Sequence, residues 1–414
     1  MKRMKSGIMV AGLLLGGMLA GCSSDSDGGR ENTPYTPISL TPGQTRACEK
    51  NNDFALSYLQ KTIAESNSEN VAVSPFTVYG LLGMLANGAS GETRAEIVEV
   101  MGFDDLDEMN SYYSTLSTTL PTADSRTDLS IATSVWTKPE VSFKSEYLQK
   151  VGEFYGSEVR ELSNDNGKNL ADINKWASDK TRGKISDFLS KFNSNTMAVL
   201  FSATYFKGRW STVFDKKKTV SEDFLDASGA FLKKTPMMTG DQSVDCYVSD
   251  MWSAVDLRYG NGSFMMTVIL PDEGKTVEEC LASLSPESLT ETSSCYIHSR
   301  TLDIKLPRFK ILPETGSIKS VLEGMGLTKA FDPYRSDYSG ISELSGLYFD
   351  NILQSTTITV DEEGTEAASV QVSQGATSNI ASGKFYVNRP FIFMIRERST
   401  GVILFSGVVR NPVI

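Results

Sequence analysis

The spacing of apolar side chains predicts that the folded part of the chain begins with two helices separated by a short strand. Apolar residues recur near helical spacing over 52–63, which predicts an amphipathic helix capped near Asn52 or Asp53. A short strand then leads to Ser74 and Pro75, a favourable helix start with proline in the first turn. The helix that follows is almost wholly apolar, so we expect it to be buried on all sides.

Several short apolar runs predict β-strands. Residues 129–136 and 265–271 have the length and composition of sheet strands, and the second of them ends at a proline. Residues 391–395 and 402–409 are apolar runs joined by a turn at 399–401, which predicts a buried hairpin.

The segment from Val360 to Ser382 differs in composition from its surroundings. It begins as a strand, with alternating apolar side chains up to Val360, and then passes three acidic residues at 361–363 and Gly364. After that it stays small and polar, without proline, until Phe385. A loop longer than about 15 residues in a compact domain is usually functional or disordered. Composition by itself leaves both readings open.

The acidic start of that segment resembles a known family. E-E-G-T-E-A-A at 362–368 resembles the hinge of the reactive centre loop of serpins, the serine protease inhibitors. Further segments that resemble this family follow in order along the chain, at 173–176, 181–185, 200–214, 304–310, 322–331, 388–391 (N-R-P-F) and 407–412 (G-V-V-R-N-P). The resemblance covers 49–414 and implies an α+β serpin fold with three β-sheets, about eight or nine helices and an exposed reactive centre loop.

The resemblance implies an irreversible suicide-substrate inhibitor that is not itself an enzyme. In the family, a target protease attacks the loop and forms an acyl-enzyme. It is then carried across the inhibitor as the loop enters the main sheet. Counting along the hinge as in relatives places the reactive bond near Ser378 and Asn379, while counting back from Asn388-Arg389-Pro390 allows a register from Ala376 to Asn379. The implied hinge is Glu362, Glu363, Gly364, Thr365, Glu366, Ala367, Ala368 and Ser369, and the implied bait region is Ala376, Thr377, Ser378, Asn379 and Ile380.

The hinge side chains are small enough to enter a sheet. Alternate side chains of a strand face the same way, so Thr365, Ala367 and Ser369 would lie on one inward face. Gly364 gives the pivot its conformational freedom. Gln371, in the same register, is longer than the residue common in relatives. This length predicts slower insertion, or cleavage of part of the protein as a plain substrate.

The resemblance also implies a region that controls the opening of the main sheet, formed by Ser74, Ser202, Trp210 and Gln354. Where the family often has asparagine and histidine, this chain has Ser202 and Gln354. A glutamine side chain donates and accepts hydrogen bonds, so we expect the pair to be a working substitute.

The composition of the loop indicates the class of protease. No Arg or Lys lies between Glu363 and Lys384, so the buried carboxylate of a trypsin-like pocket would have nothing to pair with. Thr377 or Ser378 suits the small pocket of an elastase-like protease, and a papain-like cysteine protease is the second expected target. The alternative is a non-inhibitory serpin that acts as a binding module or as a protease substrate. Its hinge would usually contain proline, charge or bulk.

Functions typical of other protein classes have less support in the sequence. A hydrolase would need motifs such as G-x-S-x-G or a P-loop, which are absent, and the only histidine, His298, is expected to be a strand residue. A glycan-binding surface would need a stripe of exposed tryptophans, whereas the four tryptophans are scattered. The acidic residues at 361–363 could bind a metal, but we expect their charge to keep the strand end solvated. No metal or other cofactor is therefore predicted.

The N-terminus predicts export and a lipid anchor. Residues 1–21 have a basic start and a short apolar run, as in a secretory signal peptide. They end in L-A-G before Cys22, which resembles the lipobox of bacterial lipoproteins and implies a lipid on Cys22. Residues 22–48 are predicted to be the lipidated N-terminus and a flexible linker. The acidic residues after Cys22 favour the outer cell surface over the periplasmic face of the outer membrane.

Charge and cysteine content limit the partners. A formal net charge of −11 argues against binding nucleic acid, which needs a basic surface. The acidic stretch 92–108 argues against activation by heparin. We expect a monomer whose partners are a target protease and, through its lipid, a membrane. Cys48, Cys246, Cys280 and Cys295 could form one or two disulfides in an oxidising compartment, and the sequence leaves the pairing open.

The lipid anchor is testable by a single substitution. Cys22→Ser removes the acceptor thiol, so we expect the protein to move from the membrane fraction to the soluble fraction. Fractionation followed by immunoblotting measures the change, with Cys295→Ser as the matched control. Continued membrane association of Cys22→Ser would contradict lipidation at this position.

Overall fold

The computed structural model describes residues 33–193, 196–311, 315–364 and 380–413. These residues form eight α-helices: α1 (Pro42–Glu65), α2 (Pro75–Gly88), α3 (Gly91–Met101), α4 (Leu106–Thr119), α5 (Ser145–Tyr155), α6 (Asn166–Lys180), α7 (Val277–Ser283) and α8 (Lys319–Gly324). Short 3-10 helices lie at Leu120–Thr122, Lys216–Lys218, Pro286–Leu289 and Ile380–Ser382.

Sixteen strands complete the described part of the chain. They are β1 (Asn70–Val73), β2 (Thr127–Thr137), β3 (Glu158–Glu161), β4 (Ala198–Gly208), β5 (Val220–Leu225), β6 (Phe231–Val248), β7 (Trp252–Tyr259), β8 (Phe264–Pro271), β9 (Tyr296–Pro307), β10 (Phe309–Ile311), β11 (Gly316–Ser317), β12 (Asn351–Thr356), β13 (Ile358–Val360), β14 (Lys384–Tyr386), β15 (Phe391–Glu397) and β16 (Ile403–Val409).

The strands are arranged in three sheets. A five-stranded sheet has the order β11-β12-β4-β2-β3. A nine-stranded sheet has the order β1-β16-β15-β8-β7-β6-β9-β14, with β5 paired to β6, and β10 and β13 form a separate pair. The predicted α+β architecture with three sheets and eight or nine helices is confirmed.

The five-stranded sheet contains a parallel junction at its centre. β12 lies parallel to β4 from Asn351 opposite Val199 to Thr356 opposite Thr204. On its other side β4 is antiparallel to β2 along its whole length. Beyond Thr356 the chain leaves β4, and β13 pairs with β10 instead. The two strands on either side of this junction are therefore joined over only part of β4.

The predicted buried elements are confirmed. In α2 every residue but Asn87 is buried, which explains why this helix has no polar face. All residues of β8 are buried, as expected for the run that ends at Pro271. β15 and β16 form the predicted antiparallel hairpin.

The first helix begins ten residues earlier than the apolar spacing predicted. Thr41 is its N-cap: its hydroxyl accepts from the Gln44 amide at 3.2 Å, and the Gln44 side chain accepts from the Thr41 amide at 2.9 Å. Pro42 occupies the first helical position, where its missing N–H costs nothing. Residues 42–48, predicted as linker, therefore form the first turns of α1. The proline that suggested a linker is part of the helix start.

Asn52 is not the helix cap that the sequence predicted, because it lies inside α1. Its amide group donates to the carbonyl of Gly401 at 3.0 Å and accepts from the amide of Ile403 at 2.9 Å. Glu397, fully buried, holds the same turn by accepting hydrogen bonds from Ser399 and Thr400. These contacts fix the β15–β16 hairpin against the middle of α1.

The four cysteines of the described chain are thiols, so the expected disulfides are not formed. Burial raises the pKa of Cys48, Cys246 and Cys280 to about 12, which keeps these thiols protonated and unreactive. Within the four described ranges, no helix has the length and hydropathy needed to cross a membrane.

Candidate functional site: the strand junction and the loop hinge

A buried polar cluster fastens the parallel junction to the helix beneath it. The side chain of Gln354, on β12, donates to the backbone carbonyl of Ser74 at 2.9 Å and accepts from the amide of Ser74 at 3.3 Å. Tyr58 of α1 donates to the same Gln354 oxygen at 3.4 Å. Gln354 thus connects β12 to the start of α2 and to α1.

Thr77 is the centre of this cluster. Its hydroxyl donates to the carbonyl of Ser74 at 2.9 Å and accepts from the hydroxyl of Ser202 on β4 at 2.8 Å. Gln354 and Thr204 also donate to it, both at 3.3 Å. One hydroxyl on α2 therefore binds both strands of the junction, and all five side chains are buried.

The structure brings together three of the four residues predicted to control sheet opening. Ser74, Ser202 and Gln354 meet around Thr77, while Trp210 lies beyond the end of β4, at the hinge. Thr77 was missed by the sequence analysis. The sequence places Thr77 one helical turn after Ser74, but it does not indicate that Thr77 contacts β4 and β12.

The chain that follows β13 folds back against the end of β4. The amides of Trp210 and Phe214 donate to the carbonyls of Glu363 and Glu362, at 2.8 and 2.9 Å. The indole of Trp210 donates to the carbonyl of Asp361 at 2.8 Å. Trp210 itself is buried and stacks on Tyr259, with ring centroids 4.4 Å apart. The start of the hinge is thus held by backbone groups that face it from the β4 side.

Glu362 forms a buried ion pair. Its side chain is fully buried, and the guanidinium of Arg308 donates to it at 2.7 Å, while Thr219 also donates to it. The expectation that the acidic residues keep this strand end solvated is wrong for Asp361 and Glu362, which are both buried. A buried carboxylate needs a charged partner, and the partner lies 54 residues earlier in the sequence.

The two neighbouring carboxylates differ in their partners. Glu363 forms an ion pair with Lys216 and is partly exposed. Asp361 is 5% exposed; one of its oxygens accepts from the amide of Glu363 at 2.9 Å, and the other has no hydrogen-bond partner. Burial raises the pKa of Asp361 to about 6, with Glu362 and Glu363 adding repulsion. Within the described chain, no group of three or more metal-binding side chains was found, here or elsewhere.

Gly364 is required by its close approach to β4. Its φ of +145° is one that residues with a side chain rarely adopt. A Cβ atom at this position would also lie 2.0 Å from the carbonyl oxygen of Gly208. The predicted pivot therefore has a steric reason for being glycine.

The remaining loop positions lie mostly outside the described residues. This applies to hinge residues Thr365–Ser369, to Gln371, and to the bait residues Ala376, Thr377, Ser378 and Asn379. The last bait residue, Ile380, is described: it is 5% exposed and begins a 3-10 turn that leads into β14. His298 lies in β9, as expected, with an exposed ring.

A five-stranded sheet with a parallel central junction, followed by an acidic hinge folded over its end, is the arrangement expected for the class of protein that the sequence resembles, the serpins. Comparison with known proteins agrees with this class. Residues 49–412 match the family profile of the serpins, serine protease inhibitors. The chain belongs to the serpin family.

Its relatives cover nearly the whole fold. Leukocyte elastase inhibitor A of Mus musculus is 31% identical, over 87% of this chain and 97% of the relative. The native structure of the thermophilic serpin Tengpin has a TM-score of 0.79 and 27% identity, covering 92% of this chain and 97% of that one. Thyroxine-binding globulin in complex with thyroxine gives a TM-score of 0.79 and 26% identity, covering 89% and 100%.

The cluster around Thr77 is testable with an isosteric substitution. Thr77→Val removes the acceptor for Ser202 and Gln354, and an unsatisfied buried polar group costs about 1–3 kcal/mol. We expect a lower free energy of unfolding of the intact protein, measured by urea denaturation. Ser355→Ala is the matched control, because the neighbouring Ser355 hydroxyl is buried without a hydrogen-bond partner. An equal loss in both variants would show that packing, and not the hydrogen bonds, stabilises the junction.

Asp361 predicts a pH dependence of stability. Because its folded-state pKa is raised to about 6, from an ordinary value of 3.8, folding favours the protonated acid. This contribution is complete below pH 4 and is lost as the pH rises through 6. Asp361→Asn should therefore melt at nearly the wild-type temperature at pH 4 and at a higher temperature than the wild type at pH 7. Asp107→Asn, at an exposed position of α4, is the control, and a difference independent of pH would contradict the assignment.

Proposed function

We propose that this serpin is an irreversible suicide-substrate inhibitor of elastase-like serine proteases, with papain-like cysteine proteases as a second target class. The protease would attack the loop between Gly364 and Ile380, and the loop would then insert into the five-stranded sheet. The protein supplies the bait and the driving force, and the protease supplies the catalytic groups. The proposal rests on the parallel junction between β4 and β12.

The junction has the geometry that a new strand needs. β12 leads towards the hinge, and the chain reverses beside Gly208, at the end of β4. A segment that returns from Gly364 between the two strands would be antiparallel to both. Two antiparallel ladders would replace one parallel ladder, and antiparallel pairing is slightly more stable per residue.

The gain on insertion is large compared with ordinary protein stability. About ten added residues, at roughly 1 kcal/mol net for each hydrogen bond, give on the order of 10 kcal/mol before ordering terms. The intact protein would therefore be kinetically trapped and not in its most stable state. The hydrogen bonds around Thr77 and the hinge contacts to Trp210 would form part of the barrier.

The burial of Ile380 supports a bait bond on its N-terminal side. To enter a protease cleft, Ile380 would have to leave the core, and fully burying such a side chain is worth about 1.5–3 kcal/mol. This cost favours residues 376–379 as the bait, with Ser378 as the acylated residue. Their small side chains suit an elastase-like pocket, and the mouse relative carries leukocyte elastase in its name.

We also propose that the protein acts while anchored to the outer membrane through a lipid on Cys22, at the cell surface. The support is the signal-like segment and the lipobox-like sequence before Cys22. The described part of the chain begins at Thr33, so a short segment of ten residues, 23–32, separates the proposed anchor from the first described residue.

A non-inhibitory role is the second candidate, and one comparison favours it. Thyroxine-binding globulin, a structural neighbour, is described by what it binds. Under this alternative the loop would be cleaved without trapping the protease, and the protein would act as a binding module or as a substrate.

Protease trapping distinguishes the two candidates. Mixing residues 22–414 with an elastase should give a band of the summed mass that survives SDS, because acylation precedes insertion. Mass spectrometry of the released C-terminal peptide locates the bait bond. Quantitative cleavage of the chain with full recovery of elastase activity would refute inhibition.

Two substitutions in the hinge provide a matched pair. Thr365→Arg would place an unpaired charge on the inward face of the new strand, so this variant should become a plain substrate. Glu366→Arg would put the same side chain on the opposite face and should still trap the protease. If both variants trap elastase equally well, the hinge assignment is wrong.

A further inference from the structure

The segment before α1 is bound along the surface of the body. The amide of Ile38 donates to the hydroxyl of Ser399 at 2.9 Å. The guanidinium of Arg398 lies over the ring of Tyr35, 4.7 Å from its centroid. Residues 33–41 therefore follow a defined path, away from the start of α1 and past the β15–β16 hairpin.

That path ends next to the hinge. The hydroxyl of Thr33 lies 3.4 Å from that of Ser125 and 3.5 Å from the side-chain nitrogen of Asn261. The residue before Asn261 is Gly260, whose amide donates to the carbonyl of Arg209 at 2.7 Å. Arg209 in turn forms a β-bridge with Gly364. The described chain thus begins near the end of β4 that contacts Gly364, where the predicted loop starts.

The length of the segment outside the described residues limits how far this end can move from the anchor. Eleven residue-to-residue steps lead from Cys22 to Thr33, with ten residues between them. A fully extended chain of this length spans at most about 40 Å. The opposite end of β4, at Ala198, is eleven strand residues further away, or about 35 Å. A membrane anchor at Cys22 therefore keeps Thr33, at the hinge end of the body, within about 40 Å of the lipid surface.

The charge of this end favours contact with such a surface. Arg126, Lys217 and Lys218 are exposed, and within the described ranges none of their side chains has an ion pair, although the whole chain has a net charge of −11. Arg126 directly precedes the β2 residue that pairs with Gly208, and the two lysines follow the strand end that holds the hinge.

The acidic groups of the same end are largely neutralised or buried. Glu362 is paired with Arg308 and Glu363 with Lys216, while Asp361 is buried. Asp124, next to Arg126, is also buried and accepts from Thr127. The exposed Asp215 is the exception; it accepts from the amide of Lys217. The exposed charge of the hinge end is therefore mainly positive.

We propose that the hinge end of the body, with Arg126, Lys217 and Lys218, docks on the anionic lipid surface of the membrane that holds the anchor. The proposal rests on the lipid anchor proposed above for Cys22. Each basic residue near an anionic surface strengthens association by about fivefold at moderate salt. Three such residues, kept near the membrane by a short tether, hold the body with its loop towards the lipid.

This orientation determines which proteases reach the loop. A protease in bulk solution meets the loop only when the body swings outward. A protease that acts at the same membrane meets it directly. The net charge of the chain predicts the opposite behaviour, since an anionic surface would repel the body and expose the loop.

Cleavage of the loop on vesicles tests the orientation. Residues 22–414, with a hexahistidine tag before Cys22, are attached to vesicles through a nickel-chelating lipid, so that the test does not depend on natural lipidation. A soluble elastase is added, and nicking between Gly364 and Ile380 is followed by gel electrophoresis. We expect nicking to be at least about fivefold slower on vesicles rich in phosphatidylglycerol than on pure phosphatidylcholine, and high salt to abolish the difference.

Charge reversal identifies the surface. Lys217→Glu with Lys218→Glu should restore fast nicking on phosphatidylglycerol vesicles. Lys138→Glu with Lys191→Glu, around the opposite end of β4, is the matched control and should leave nicking slow. Equal rates on both vesicle types, or equal recovery by both pairs of substitutions, would overturn the proposal.

The outcomes separate this inference from the proposed inhibition. Slow nicking on anionic vesicles without a covalent complex would refute inhibition and leave the docking surface standing. Covalent trapping at equal rates on both vesicle types would refute the docking surface and leave inhibition standing.

Discussion

The parallel contact between β4 and β12 is the constraint on which the rest of the structure depends. Parallel neighbours are normally formed by a crossover within one unit, but here they come from segments about 150 residues apart, at Val199 and Asn351. Nothing local holds them together, and α2 supplies the connection through Thr77. The junction of this sheet is thus held closed by a short parallel ladder and by a few buried hydroxyl and amide groups.

The negative charges at the start of the hinge, residues 361–363, are only partly neutralised by neighbouring cations. Three consecutive carboxylates face two cations, since Glu362 has Arg308, Glu363 has Lys216, and Asp361 has only backbone groups. Breaking a buried ion pair by removing one partner typically costs about 3–5 kcal/mol, so Glu362 acts as a firm attachment. Asp361 is the weaker contact, because an ionised carboxylate there is desolvated without a charged partner. A firm and a weak contact side by side would suit the loop insertion proposed for this segment.

The position of residues 33–41 connects the hinge to the membrane anchor proposed for this protein. Residues 33–41 lie against the body and reach the hinge end through Ser125 and Asn261. The same end carries three exposed basic residues, Arg126, Lys217 and Lys218, in a chain whose net charge is negative. If the chain is anchored at Cys22, the site of protease attack and the point of attachment lie at one end, and the membrane becomes part of the inhibitor's selectivity.

The sequence by itself determined the parts of this protein in which one element carries its own signal. The apolar run of α2, the buried β8 and the β15–β16 hairpin were predictable because burial leaves a periodic pattern within a single segment. Gly364 was recognisable as a hinge residue because it meets a local backbone requirement: a Cβ atom there would lie 2.0 Å from the carbonyl oxygen of Gly208. The start of α1 also has a local signal, the cap formed by Thr41 and Gln44. The sequence analysis missed it because it interpreted the nearby prolines as a linker.

Only the tertiary structure decided which residues, far apart in the sequence, contact each other. Arg308 neutralises Glu362 across 54 residues, and Thr77 receives Gln354 across 277. No pattern within a segment encodes such partners, because packing of distant elements chooses them. Likewise, the path of residues 33–41 depends on Ser125, Asn261 and Arg398, which become neighbours only after the sheets have formed. The periodicity of a segment shows which of its faces is buried, and the fold determines which residues meet that face.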